Sequence, residues 1–171
     1  MIQSKQMDKT DKEALFIRIL NENKDRIYRL CLGYLIDKQN VDDLFQDVMV
    51  NIWRGLDSFR GEAKESTWVY RIAVNTSLIY NKKTKRIQQL INQQEMDEII
   101  DQTSESIETR MNLTALRKSI SGLKKQDRLI ITLLLEGMSY QEIADITGIS
   151  LNYVGVKINR IKKQLEKMIN G

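Results

Sequence analysis

The chain has 171 residues, 42% hydrophobic and 29% charged, which suits one ordinary domain or two small ones. Lys and Arg number 27 against 23 Asp and Glu, so any surface for nucleic acid must be local rather than global. Proline is absent, which favours helices; no apolar run is long enough to span a bilayer and no charged-then-apolar leader opens the chain, so the sequence reads as a cytoplasmic protein without membrane insertion.

The first nine residues show no period and are expected to fray. Thr10 and Glu13 have capping-box spacing at a helix start. Leu15, Phe16, Ile19 and Leu20, then Ile27, Leu30, Cys31, Tyr34 and Leu35, follow at helical spacing, as one bent helix or two meeting near residues 21–24. Cys31, the only cysteine, falls on this apolar stripe and reads as a small buried hydrophobe, with a reactive thiol as the second reading.

Asn40 opens the clearest helix. Val41, Leu44, Phe45, Val48, Met49, Ile52, Trp53 and Leu56 form its apolar stripe, and Asp42, Asp43, Gln46, Asp47, Asn51 and Arg54 face the other way. Carboxylates in the first turns also suit the helix dipole, so a solvated face accounts for them by itself. Histidine is absent and no second carboxylate cluster closes a metal site.

Residues 60–65 have no apolar period and read as a loop. Ser66 is placed to cap the next helix, in which Trp68, Ile72, Thr76 and Ile79 make a core-facing stripe while Tyr70, Arg71, Val74 and Asn75 point elsewhere. A charged loop feeding a helix with aromatic, cationic and amide groups, then Lys82, Lys83, Lys85 and Arg86, has the composition to grip single-stranded nucleic acid. An ordinary amphipathic helix with a polar loop fits the composition too. Residues 92–108 turn polar and acidic and read as a linker.

Beyond the linker, Leu113, Leu116, Ile120 and Leu123 share one face, and an apolar helix over about 125–136 is ended by Gly137. Ser139 and Glu142 form a second capping box. Ala144, then Gly148 after four, then Val154 after six more is the steric spacing of a helix-turn-helix: a small residue where helices cross, a positive-φ turn, and a branched apolar residue on the second helix. Ser150 caps that second helix, and Val154, Ile158, Ile161, Leu165 and Met168 are its buried stripe. Asn152, Val156, Asn159, Arg160 and Lys163 face outward, with Lys157 and Lys162 on the flanks. In a recognition helix such a face meets base edges while lysines meet phosphates.

Three stretches carry a family likeness. LDSFRG at 56–61 with TWVYRIAVN at 67–75 closely resembles the second conserved region of sigma-70 family initiation factors, most of all the small extracytoplasmic-function (ECF) group. DDLFQD at 42–47 resembles that family's segment for docking on the coiled coil of the polymerase clamp. SYQEIADITGISLNYVGVKINRIKKQL at 139–165 resembles its fourth region, which binds the upstream (−35) promoter element. The resemblance implies core-polymerase contacts at Asp43, Gln46, Asp47 and Asn51. It implies downstream (−10) element contacts at Arg60, Gly61, Glu62, Ala63, Lys64, Ser66, Tyr70, Arg71 and Asn75, and upstream contacts at Asn152, Gly155, Val156, Lys157, Asn159, Arg160 and Lys163. Gly155 and Val156 stand where relatives often carry polar or basic residues, and Lys124 where they usually have proline.

The implied fold is all-α: two small helical domains joined by a flexible acidic linker, the C-terminal one a helix-turn-helix, with boundaries at 1–91, 92–108 and 109–171. The implied partners are core RNA polymerase, promoter DNA and an anti-sigma protein, with no cofactor and no enzymatic activity. Two other classes stay open. A conventional helix-turn-helix regulator would find its site without the polymerase. A nucleic-acid-processing enzyme would need a histidine, a phosphate-binding glycine loop or a matched carboxylate set, none of which the sequence offers.

Overall fold

The computed structural model describes residues 7–35, 38–88 and 107–171, with the side chains of 38, 81–88 and 107–113 outside the description. Among the described residues there are seven α-helices and no strand. Helix α1 (Lys9–Leu35) is continuous through the expected junction at 21–24. Its polar residue there is absorbed rather than disruptive, because buried Asn23 donates to the Ile19 carbonyl of its own helix at 2.9 Å. Asp8 rather than Thr10 opens this helix, its carbonyl accepting from the Lys12 N–H at 2.9 Å.

Helix α2 (Lys38–Gly55) starts two residues before Asn40 and ends in a 3-10 turn, Leu56–Ser58. A loop with Gly61 at φ +71° leads to α3 (Glu65–Gln88). The Lys64 carbonyl takes the Trp68 N–H at 3.0 Å, so Ser66 lies inside the first turn and does not cap it. The buried face of α3 also differs from the expected stripe. It consists of Val69, Tyr70, Ala73, Val74 and Ser77 together with Thr67 and Thr76, whereas Ile79 is 64% exposed and Trp68 and Ile72 are only half-buried. The cause is tertiary: α3 packs on α1 and α2 on one side and on a helix of the C-terminal half on another, so small residues set the line of closest approach.

Residues 92–106 of the expected linker lie outside the described residues; 107 and 108 already belong to α4 (Ile107–Ser121). Helix α5 (Lys125–Leu135) is buried from Arg128 to Leu133 because α1, α6 and α7 all pack on it. The helix-turn-helix follows as read: α6 (Tyr140–Thr147), Gly148 at φ +74° with its N–H on the Ala144 carbonyl, and α7 (Leu151–Asn170). Both halves of the Ser139–Glu142 capping box are present, at 3.2 and 2.8 Å, and Ser150 accepts from the Tyr153 N–H at 3.2 Å. Val154, Ile158, Ile161 and Leu165 are buried, but Met168 is 40% exposed and only covers Gly122, its sulfur 3.4 Å from where a Cβ would stand there.

The two halves pack against each other through α1 on α5 and α3 on α6. Gly33 makes the first contact possible: a Cβ there would stand 2.5 Å from Thr132 Oγ1. At its edge Glu136 accepts from Arg29 through both carboxylate oxygens, at 2.6 and 2.8 Å. Cys31 is buried in α1, and burial pushes its thiol up to about 12, so it stays protonated and packs as a small apolar group.

Candidate nucleic-acid interface

The outward face of α7 is determined by what the helix buries. With 3.6 residues per turn, Val156 lies opposite the Val154–Ile158–Ile161–Leu165 stripe, and Asn152, Asn159, Arg160 and Lys163 surround it, all exposed. Gly155 is at the edge of this face, with open space above it apart from the Tyr140 ring, 3.9 Å from where a Cβ would be. Lys157 does not join the face. Its ammonium is held by Asp127 of α5 at 2.5 Å, both side chains being largely covered, and it lies 5.8 Å from the Tyr153 ring. Asp127 therefore reduces what Lys157 can offer a phosphate, a long-range pairing that helical spacing could not reveal.

On α2, Asp43, Gln46 and Asp47 are exposed and share a face with Val50 and Arg54. Val50, 45% exposed, is an apolar group in the middle of this polar face; its place between Asp47 and Arg54 was the signal for it in the sequence. Asn51 turns the other way, donating to the Thr76 hydroxyl of α3 at 3.0 Å, and so holds α2 to α3.

The loop residues Arg60, Gly61, Glu62, Lys64 and Ser66 are exposed, as are Arg71 and Asn75 on α3, while Ala63 is half-buried. Tyr70 is 1% exposed, and burial pushes its phenol up while Arg26 opposes the shift. It has no surface for a ligand here and serves as part of the core. Glu62, Ala63 and Lys64 of the loop, with Thr67 and Arg71, face Ser139, Gln141, Glu142 and Asp145 of α6 across an open cleft of about 510 Å³. Arg71 Nε donates to the Asp145 carbonyl at 2.6 Å across it. The hydrogen bonds that cap α6 hold the Glu142 carboxyl below its ordinary range. Thr67 and the α6 side of this cleft were not singled out from the sequence, because nothing local relates residues about 75 apart.

Among the described residues the chain is all-helical, with a capped helix-turn-helix whose second helix carries an exposed polar face, and a second exposed polar surface at the loop before α3. Comparison with known proteins identifies the class. Residues 19–87 match the family model for Sigma-70 region 2, and residues 113–165 match that for Sigma-70, region 4. The ECF RNA polymerase sigma-E factor of Escherichia coli (strain K12) is 32% identical over 76% of this chain and 74% of its own length. RNA polymerase sigma factor SigV of Bacillus subtilis (strain 168) is 26% identical over 91% of each chain. In the co-crystal structure of sigma factor RpoE with the anti-sigma factor NepR from Bartonella quintana, the matched chain has a TM-score of 0.78 at 21% identity, covering 91% of this chain and 96% of that one. The chain belongs to the ECF group of the sigma-70 family of RNA polymerase sigma factors, and its function is transcription initiation.

Proposed function

We propose that residues 1–91 form the region 2 domain, 109–171 the region 4 domain, and that the two read the downstream and upstream promoter elements of one promoter while core RNA polymerase holds both. Asp43, Gln46 and Asp47, with Val50 among them, dock on the polymerase: the opposite side of α2 is already committed to the core, so this face is free for a partner. Asn152, Val156, Asn159 and Arg160 face base edges in the major groove, and Lys163 and Lys162 meet phosphates. The loop at 60–66 with Arg71 and Asn75 engages an unstacked base of the downstream element. The observation that carries the reading is the pair of exposed polar surfaces, on α7 and on the α3 loop, in one chain that also matches both family regions.

The chain performs no covalent chemistry of its own and works in the cytoplasm; no described helix is long and apolar enough to cross a membrane. An anti-sigma protein is the regulator proposed for it, since the matched RpoE structure is a complex with the anti-sigma factor NepR. Arg71 must give up the Asp145 carbonyl before its Nε can serve DNA. The test is run-off transcription with purified core polymerase. Extruding a base costs a few kcal/mol, so Asn75→Ala is expected to permit a closed complex, slow permanganate-detectable melting, and recover on a template already mismatched at the downstream element. Equal failure on duplex and premelted templates, with core binding intact, would remove Asn75 and the loop from the opening step.

A further inference from the structure

We infer that the upstream element is read at its centre through a thymine methyl group packed against Val156, with adenines taken by Asn152 and Asn159 beside it. The inference rests on the proposal above that α7 lies in the major groove, and it specifies what that helix selects.

Val156 is 54% exposed and lies opposite the buried stripe of α7, at the middle of the outward face. An exposed valine in the midst of Asn152, Asn159, Arg160 and Lys163 gains nothing from water. A valine can neither donate nor accept a hydrogen bond. In the major groove every base presents polar edge groups, and only thymine adds an apolar one, its C5-methyl. Set against guanine or cytosine edges, the isopropyl group would leave their donors and acceptors dry and unpaired; set against a thymine methyl it buries both apolar surfaces. Because valine is β-branched its χ1 is already restricted in the helix, so little side-chain freedom is lost on contact.

The neighbours agree with an A·T-rich centre. Asn152 and Asn159 are both exposed, one turn before and almost one turn after Val156, and Asn pairs bidentately with adenine N6 and N7. Gly155 adds no side chain between helix and groove; only the Tyr140 ring approaches that position. Lys162 and Lys163, both exposed, supply the cations that keep the helix on the duplex without choosing bases.

The experiment uses holoenzyme assembled from the full chain and core RNA polymerase, with duplexes selected from a pool randomised at the upstream element. The selected element is expected to hold A·T pairs at its centre. Deoxyuridine is then placed at one thymine at a time, which removes the methyl and keeps every hydrogen bond. At about 0.8 kcal/mol per buried methylene-sized group, one position should lose roughly fourfold in affinity, and the others little. With Val156→Ala the same deoxyuridine substitution should have no further effect, whereas Asn159→Ala should leave the deoxyuridine penalty in place. Selection of G·C at the centre, tolerance of deoxyuridine at every position, or a penalty that persists unchanged in Val156→Ala overturns the methyl contact while leaving an upstream-reading helix in place. A holoenzyme with no upstream preference at all overturns the reading beneath it as well.

Discussion

Substituting Gly33 by Ala tests whether the two halves of the protein are packed as one body. A Cβ at Gly33 would stand 2.5 Å from Thr132 Oγ1, with Thr132 Cγ2 and Cβ at 3.3 and 3.5 Å, so turning the hydroxyl aside still leaves a tight contact between α1 and α5. Overpacking of this kind costs about 1–3 kcal/mol. Replacing a glycine inside a helix by alanine returns about 0.5–1 kcal/mol. The net effect of Gly33→Ala is therefore a loss of about 0–2.5 kcal/mol, a range that reaches zero and so decides nothing alone. The coupling with Thr132→Ala is sharper. That change removes the opposing hydroxyl and methyl, so the double variant should be more stable than the sum of the two singles by about 1–3 kcal/mol, most of the clash having gone. Denaturant unfolding of the four proteins, with equal slopes as the check that the comparison is fair, measures it. Additivity within about 0.5 kcal/mol would refute the α1–α5 contact and leave the halves independent in solution.

Four other outcomes are expected. Arg160→Ala should weaken binding to the preferred upstream element by about 1–3 kcal/mol and blur one base position; equal loss on every sequence in a competition assay would make it a phosphate contact only. Asp43→Ala with Gln46→Ala should reduce core-polymerase binding in a pull-down while the unfolding midpoint stays put, since both side chains are exposed; normal core binding by the pair would remove this face from the interface. Ser139→Ala should cost about 1 kcal/mol through the lost cap of α6, read from the same unfolding curves. Glu142 in that cap has a folded pKa below its ordinary 4.5, so its contribution is present above that value and is lost as pH falls through the folded pKa; Glu142→Gln should flatten that part of the acid limb in a pH series of unfolding midpoints, and an unchanged limb would show that the cap does not carry the shift.

Much of the C-terminal half was legible because its signals are local. Ser139 with Glu142, Gly148 and Ser150 act on backbone groups within four residues of themselves, so the cap, the turn and the next helix could be placed from the sequence, and the buried stripe of α7 from Val154 to Leu165 followed from period alone. The same locality exposed Val156, Asn159 and Arg160 on the opposite face. Helix starts were less legible at α1 and α3, where the first intrahelical bond runs to the Asp8 and Lys64 carbonyls, two residues before the hydroxyl residue that the spacing favoured.

What the tertiary structure decided concerns residues with two plausible directions. Tyr70 reads as an available aromatic in the sequence and is buried, because α3 has neighbours on more than one side and period alone assumes a single buried face. Asn51 and Lys157 read as contacts for partners, yet each has a polar group in reach from a distant helix, Thr76 at 3.0 Å and Asp127 at 2.5 Å. The meeting of the 60–66 loop with α6, and the bond from Arg71 to the Asp145 carbonyl, depends on how α1 and α5 dock through the notch at Gly33. A one-dimensional pattern specifies which side of a helix avoids water; which other helix covers that side, and which polar groups it brings along, is determined only when the chain closes on itself.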